Sequence, residues 1–400
     1  MRRRTVLLLS ICLCVARPSV HAQGFKLFDR QVQIHGFASQ GFVHTNGNNW
    51  LTMNTSSGSA AMTDMGLNLS MPVTDKLRIG AQVYDRNLGH LGQWHPSLDW
   101  AYAQYKFKPW LGVRGGKVKT VMGLYNDTQD LDFLRAFSLL PQSVYPIDTR
   151  DATLAHAGVD VFGDIPLRQE FGAFSYTAYV GHRQDDLHGG YAYLFQNRSG
   201  KLSNYSGLQF GGDLRWATPL KGLMLGISRL SEDVSGQGTA AAGGGFTFPI
   251  RVVSRSQFTN QYYGRYSWSK LTLDAEYRRY WSDDMMNQGL FRVQTDIRGW
   301  YVAGSYQVTK RVQFGSYYSR YWINFPLAFP GVPAGTGHVS DKVVSARFHL
   351  NRFMNFKLEG HFMDGYGLPD DYPNGFYTSD NPQGLKPNTN ALVLKTSFNF

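Results

Sequence analysis

Apolar residues recur at every second position through most of the chain. Leu77, Ile79, Ala81 and Val83 alternate with Arg78, Gly80, Gln82 and Tyr84, and Leu271, Leu273, Ala275 and Tyr277 alternate with Thr272, Asp274, Glu276 and Arg278. The same alternation runs through Met354, Phe356, Leu358 and Phe362, and again through Leu392, Leu394, Phe398 and Phe400. Period two marks strands whose two faces meet different surroundings, and the helical period of 3.6 is almost absent. Short turns fall at Thr74–Lys76, Lys108–Trp110, Gly163–Pro166, Pro219–Gly222, Ser267–Lys270, Thr309–Arg311 and Asn351–Arg352. Between them lie long polar or Gly-rich stretches around 44–63, 87–97, 120–153, 184–206, 232–252, 281–297, 323–341 and 364–388. Seven short and eight long connections predict sixteen antiparallel strands, with both chain ends on the short-turn side.

An even strand count with short turns at one end and long loops at the other is the pattern of a transmembrane β-barrel with short periplasmic turns and long extracellular loops. Lipid offers no partner to a backbone N–H or C=O, so an extended chain crosses it only when its sheet closes on itself. Alternation alone does not say which face points outward. The second face, rich in Arg, Lys, Gln, Asp and Tyr, holds too few apolar residues to fill a core. Aromatic residues also cluster near the predicted strand ends (Phe107, Trp110, Trp216, Trp268, Phe353 and Phe398 at one end; Tyr84, Trp100, Tyr280 and Tyr318 at the other), as interfacial girdles do.

Composition narrows the reading further. Of 400 residues only 17% are charged and 14% are aromatic, which excludes a disordered charged tail. The start of the chain, with Arg2, Arg3 and Arg4, an apolar run from Val6 to Val15 and then Val20-His21-Ala22, predicts a signal peptide over 1–22, leaving 23–400 as one barrel domain. A lipoprotein site at Cys12 is disfavoured by the bulky Ile11 before it. Both cysteines, Cys12 and Cys14, leave with that segment, so the exported chain has neither disulfides nor thiolate chemistry.

The final segment, Ala391-Leu-Val-Leu-Lys-Thr-Ser-Phe-Asn-Phe400, resembles the terminal strand of outer-membrane barrels through Leu392, Leu394, Phe398 and Phe400. In that group, Phe398 and Phe400 stand where the barrel-assembly machinery reads its signal. Residues 24–400 as a whole resemble the sixteen-stranded Gram-negative porins. That resemblance implies homotrimers of water-filled channels in the outer membrane, a third loop folded into the lumen, and no cofactor. Locally, Leu111-Gly-Val-Arg-Gly-Gly-Lys-Val-Lys-Thr-Val-Met-Gly-Leu124 is similar to the strand leading into the constriction loop of several porin families, phosphate-selective porins among them. Val121 stands where those porins place Pro, and the acidic Pro-Glu-Phe-Gly-Gly signature of enteric general porins is absent. The architecture carries over; a named substrate does not.

The third long loop, about 120–153, holds Asp127, Asp130, Asp132, Arg135 and Arg150 among Leu131, Phe133, Leu134, Phe137, Leu139, Leu140 and Val144. A solvated loop has no use for so much apolar surface, so this one is expected to fold inward, its acids facing Arg114, Lys117 and Lys119 on the wall. Opposed charge rows across a narrow gap make a transverse field that sets ion preference. An outer lid or a trimer contact is the competing reading of the loop. Inward-facing Arg78, Arg86, Lys106, Arg215, Arg278, Arg347, Lys357 and Lys395 outnumber Asp213, Asp274, Glu276 and Glu359, predicting mild anion preference. Cross-strand pairing of these charges would weaken it.

The expected function is passive diffusion of small hydrophilic solutes, with no enzyme activity, metal or nucleic-acid partner; outer-membrane lipid surrounds the barrel. A binding channel for sugars or an organic or phosphate anion is the alternative, and an outer-membrane enzyme the third. The ingredients for the last are His182 beside Asp185 and Asp186, and His361 near Asp364. The Gly-rich run Ser235–Gly245 carries no P-loop lysine and is expected to be an outer loop.

Overall fold

A computed structural model describes residues 24–27, 30–168, 170–197, 200–243, 246–327, 336–367 and 375–400. The expected signal segment, 1–22, lies outside the described residues. A short strand, β1 (Gly24–Leu27), folds back on the start of β2 (Arg30–Thr45). The wall continues through β3 (Ser59–Pro72), β4 (Leu77–Leu88), β5 (Ser97–Lys108), β6 (Leu111–Lys119), β7 (Ala155–Pro166), β8 (Ala173–Gln184) and β9 (Gly200–Ala217). It is completed by β10 (Leu223–Gly243), β11 (Phe246–Trp268), β12 (Leu271–Met286), β13 (Phe291–Gln307), β14 (Val312–Leu327), β15 (Thr336–His349), β16 (Met354–Gly365) and β17 (Asn388–Asn399).

Each strand from β2 to β17 pairs antiparallel with its chain neighbour, and β17 closes on β2 from Ala391↔Thr45 to Asn399↔Phe37. The product is a closed barrel of sixteen strands, to which β1 adds a hairpin. Phe400 completes the seam: its N–H donates to the Gly36 carbonyl at 3.0 Å, and Gly36 returns the bond at 3.2 Å.

Burial fixes which face is which. Lys357, His361 and Gln261 are fully buried inside, whereas Leu67, Val159, Val302 and Phe362 are about half exposed on the outside. A soluble protein has the opposite arrangement. The outer face is thus an apolar band suited to lipid, with Trp110 and Trp268 exposed at the short-turn end. Tyr84 and Tyr280, expected in the girdle, are buried and point inward, because they fall in the same register row as the lumenal residues.

The wall is uneven in height. The strands β9 to β13 run from 16 to 23 residues, and β4 to β8 from 9 to 12. Much of the stretch 232–252, expected to be a loop, is therefore the top of the β10–β11 hairpin, paired from Ser235↔Val253 to Gly243↔Phe246. Small residues permit this: a Cβ on Gly238 would lie 2.2 Å from the Lys201 carbonyl of β9. Local glycine content reads as flexibility, but here it allows close strand packing.

Candidate functional site

The chain between β6 and β7 turns into the barrel instead of rising above it. Its course is set by three 3-10 turns, Asn126–Thr128, Asp132–Leu134 and Ile147–Thr149, and by the short helix α1 (Arg150–Leu154). Its apolar residues supply the reason: Phe137, Leu140, Val144 and Tyr145 pack on Tyr301, Ala303, Tyr317 and Val343 of the opposite wall. Water would otherwise meet these side chains in a solvated loop.

Polar latches fix the depth of insertion. Glu276 on β12 accepts from the Tyr145 hydroxyl at 2.8 Å, the Leu124 N–H at 3.0 Å, the Gln261 amide at 2.7 Å and the Tyr301 hydroxyl. On β16, Glu359 accepts from the N–H groups of Ser138 and Leu139, and the Lys357 ammonium donates to the carbonyls of Asp132 and Phe137 at 2.6 and 2.9 Å. These groups satisfy loop backbone that leaves no regular ladder for it to join.

The loop acids reach two different walls. The Asp130 carboxylate accepts from Lys119 and from Gln82, both at 2.7 Å. Burial pushes this carboxyl up, but Lys119 and Arg150 outweigh that effect and hold it below the ordinary carboxylate range. Asp132 crosses to the far side, accepting from Ser397 at 2.8 Å and lying 3.2 Å from Lys395 and 3.5 Å from Lys357. Burial again opposes ionisation, and the two lysines with Arg135 drive the carboxyl well below its usual range. Among the described residues no cation is in ion-pair contact with Asp148. Burial raises its carboxyl above the ordinary value, against bonds from the Tyr377 hydroxyl (2.7 Å) and the Gly375 N–H (3.3 Å) of the last loop.

The wall residues expected opposite the acids divide by register. Arg114 faces inward but is bound to Asp160 at 3.3 Å, with its guanidinium over Phe162. Lys117 lies in the outward row, opposite Ala101 and Ala157, and donates to the Leu98 carbonyl; it does not face the loop. Period two forbids Arg114 and Lys117 from sharing a face. Lys119 reaches the Asp127 carbonyl at 3.0 Å as well as Asp130. Arg135 folds onto its own loop, donating to the carbonyls of Thr128 and Gln129.

Most of the remaining lumenal cations are also engaged. Arg78 contacts Gln33 and Ser70, Arg215 binds Asp213 and the Gly123 carbonyl, Arg347 donates to the Phe133 carbonyl, and Arg86 pairs with Asp151 at 2.7 Å. Two engaged pairs escape a reading of single strands: Arg183, bound by Asp185 and Glu232, and Arg265, bound by Asp274. The second was available from hairpin register, since the short turn at Ser269 sets Arg265 directly opposite Asp274.

Arg278 differs. Among the described residues no acid lies in ion-pair contact with its guanidinium, which stands beside the Tyr280 ring. It borders a cavity of about 20 Å³ between loop and wall, with Asn126, Tyr145, Tyr191, Glu232 and Gln257. That is room for about one water. On the short-turn side of the loop a wider vestibule of about 340 Å³ is bordered by Tyr125, Arg135, Phe137, Arg265, Asp274 and Gln313.

The rim histidines and acids that an enzyme would need do not pair as that third reading requires. Arg183, not His182, takes Asp185; His361 binds Asp341 and Glu359, and Asp364 belongs to His338. A hydroxyl–imidazole–carboxylate series does occur, Thr120 to His156 at 3.0 Å and His156 to Asp160 at 2.7 Å. All three residues are completely buried, beyond reach of a substrate. Among the described residues no group of three metal-ligating side chains comes together.

No protein-family model matches the chain, and no curated protein matches its sequence. Solved structures do share its fold. OmpT, an outer membrane protein of Vibrio cholerae, superposes with a TM-score of 0.55 at 12% identity, over 95% of this chain and 100% of that one. The anion-selective porin from Comamonas acidovorans gives 0.57 at 10% identity, over 93% and 100%. OmpF of Salmonella typhi gives 0.54 at 13%, over 94% and 100%. At such identities the likeness is one of fold: the closed sixteen-stranded barrel of outer-membrane porins.

Proposed function

We propose that the chain is a passive outer-membrane diffusion channel for small hydrophilic solutes, with mild preference for anions and no enzymatic step. The observation that supports the reading is Arg278: beside the inserted loop, where Arg114, Arg183, Arg215 and Arg265 pair with acids, its guanidinium has no acid in ion-pair contact among the described residues. A lumenal cation without an ion-pair partner raises local anion concentration, and the low-dielectric wall around it strengthens the effect. Size exclusion comes from the loop 120–153, held by Glu276, Glu359 and Lys357. Export with removal of residues 1–22, assembly through Phe398 and Phe400, and a homotrimer in the outer membrane of a Gram-negative bacterium complete the proposal. The existence of a trimer form of Vibrio cholerae OmpT supports the last point.

The test is single-channel conductance of the refolded protein in a planar bilayer, followed by the reversal potential in a KCl gradient. Discrete steps with a weakly anion-selective potential are expected. A folded barrel without conductance, or one selective for cations, overturns the reading.

A further inference from the structure

Two long loops meet at the mouth of the barrel through a pair of histidines. Between β4 and β5, Gly92, Gln93 and Trp94 take three consecutive positive φ angles, 73°, 47° and 60°. Left-handed backbone costs a residue with a Cβ roughly 1–2 kcal/mol, so Gln93 and Trp94 keep this turn only because their surroundings impose it. The Trp94 N–H donates to the Arg86 carbonyl at 3.2 Å, and Leu88 and Leu91 exchange backbone hydrogen bonds. Leu91 is fully buried in the apolar cluster beneath, which anchors the turn. The turn presents His95, exposed to solvent, face to face with the exposed His188 of the β8–β9 connection. The ring centroids are 3.8 Å apart and the planes 16° from parallel.

Hydrogen bonding assigns the tautomer of each ring. His95 Nδ1 lies 3.0 Å from the Gly92 carbonyl oxygen, and His188 Nδ1 lies 3.2 Å from the Asp186 carboxylate. A carbonyl and a carboxylate only accept, so each Nδ1 carries the hydrogen and each Nε2 of the neutral rings keeps its lone pair. Among the described residues neither Nε2 has a hydrogen-bond partner. The loops that carry the rings are tied to each other. The Gly92 N–H donates to the His188 carbonyl at 3.1 Å, the Asp186 carboxylate also accepts from the His188 N–H at 2.9 Å, and the His90 ring stacks on Tyr193 of α2 (Gly190–Asn197). Imidazoles held through Nδ1 by a carbonyl or a carboxylate, with Nε2 free and open to solvent, have the outer-shell support typical of metal-ligating histidines. Parallel rings 3.8 Å apart also fall within the about 4.2 Å that two Nε2–metal bonds of about 2.0–2.1 Å can span.

We propose that His95 and His188 form a two-histidine site for a divalent transition-metal ion of the copper or zinc class, bound through both Nε2 atoms with water in the remaining positions. Imidazole nitrogen suits these ions, whereas calcium and magnesium take oxygen ligands. Asp186 and the Gly92 carbonyl are positioning groups: they fix the tautomer and the direction of each ring and do not touch the ion. Because one ligand comes from each loop, the bound ion clamps the β4–β5 loop to the β8–β9 loop over the Gly92–His188 hydrogen bond. The site lies outside the membrane-spanning part of the wall, and the inference does not depend on whether the barrel conducts.

The experiment is titration of Cu2+ into the folded full-length chain in detergent, read by electron paramagnetic resonance, with Zn2+ as the probe for hydrogen exchange over residues 89–98. A spectrum with nitrogen coupling from two imidazoles is expected, and Zn2+ should slow exchange of the Gly92 amide. H95F and H188F keep an aromatic ring in the stack but have no Nε2, and each should weaken Cu2+ binding by about ten-fold or more. D186N leaves both ligands in place and should weaken it by about ten-fold through the lost outer-shell support. H182Q, which alters an exposed histidine of β8 outside the site, should bind as the wild type does. If a phenylalanine variant does not fold, the wild-type spectrum and the exchange of Gly92 carry the test. Coupling from a single imidazole, binding unchanged in both phenylalanine variants, loss of binding in H182Q, or exchange at Gly92 indifferent to Zn2+ overturns the proposal.

Discussion

The Tyr145 hydroxyl, carried on the inserted loop, donates to the Glu276 carboxylate on the barrel wall at 2.8 Å, inside a shell that also brings Gln261, Tyr301 and the Leu124 N–H to the same two oxygens. A carboxylate buried without a cation survives only when donors surround it. The loop therefore depends on Glu276, and Glu276 on the loop. Tyr145→Phe removes one donor and is expected to weaken docking by about 1–3 kcal/mol; Glu276→Ala removes the acceptor of all four. Single-channel recordings should show increased current noise for the first and a larger, unsteady conductance for the second. Unchanged traces for Glu276→Ala would mean that the apolar contacts of Phe137 and Val144 hold the loop unaided.

Arg278→Gln tests the selectivity directly. The side chain borders the loop cavity without an acid in ion-pair contact, so its loss removes charge without orphaning a partner. The anion-to-cation permeability ratio is expected to fall by about two- to five-fold, the size of one unit charge acting through a partly screened, intermediate dielectric. Arg215→Gln, by contrast, leaves Asp213 without that ion pair and should disturb the loop as well, through the Gly123 carbonyl. A reversal potential identical to wild type in Arg278→Gln would remove the basis for anion preference.

Acid acts on the loop with two signs. The Asp132 carboxyl is depressed in the folded barrel, so the stability it contributes is complete above the ordinary carboxyl value of about 4 and is lost as pH falls below it towards the folded value. Asp148 is raised, so its contribution is greatest below about 4 and declines as pH rises through the raised value. Acidification towards that value should first stabilise the loop, because protonation removes a charge that burial at Asp148 disfavours, and only stronger acid should release Asp132 from Lys357 and Lys395. Closure frequency recorded against pH for the wild type and for Asp148→Asn resolves the two, since only the first effect should vanish in the variant.

The seam offers a graded test of assembly. Phe400 exchanges two backbone hydrogen bonds with Gly36, and its ring packs near Phe398 at a centroid distance of 6.0 Å. Phe400→Ala keeps the backbone pair and loses the ring, whereas deletion of residue 400 loses both. Heat-modifiable migration on gels should show a partial loss of folded barrel for the substitution and a greater loss for the deletion. Equal yields from both would place the signal in Leu392, Leu394 and Phe398 alone.

The alternation of Leu271, Leu273 and Ala275 with Asp274 and Glu276 was enough to determine strands and which face is polar, because a two-residue period is a local property of extended chain, and the run of short and long connections gave their number in the wall. The apolar content of 120–153 likewise announced a loop that turns inward. Where its charges land was not legible. Asp132 finds Lys357 and Lys395 more than two hundred residues away, and Lys117 is lost to the outer face by a single step of register. Whether an arginine conducts or merely holds structure depends on closure: strands far apart in sequence become neighbours across the lumen, and only there is Arg183 neutralised by Glu232 while Arg278, among the described residues, has no acid in ion-pair contact. Charge compensation is a sum over three-dimensional neighbours, and no periodicity along the chain encodes it.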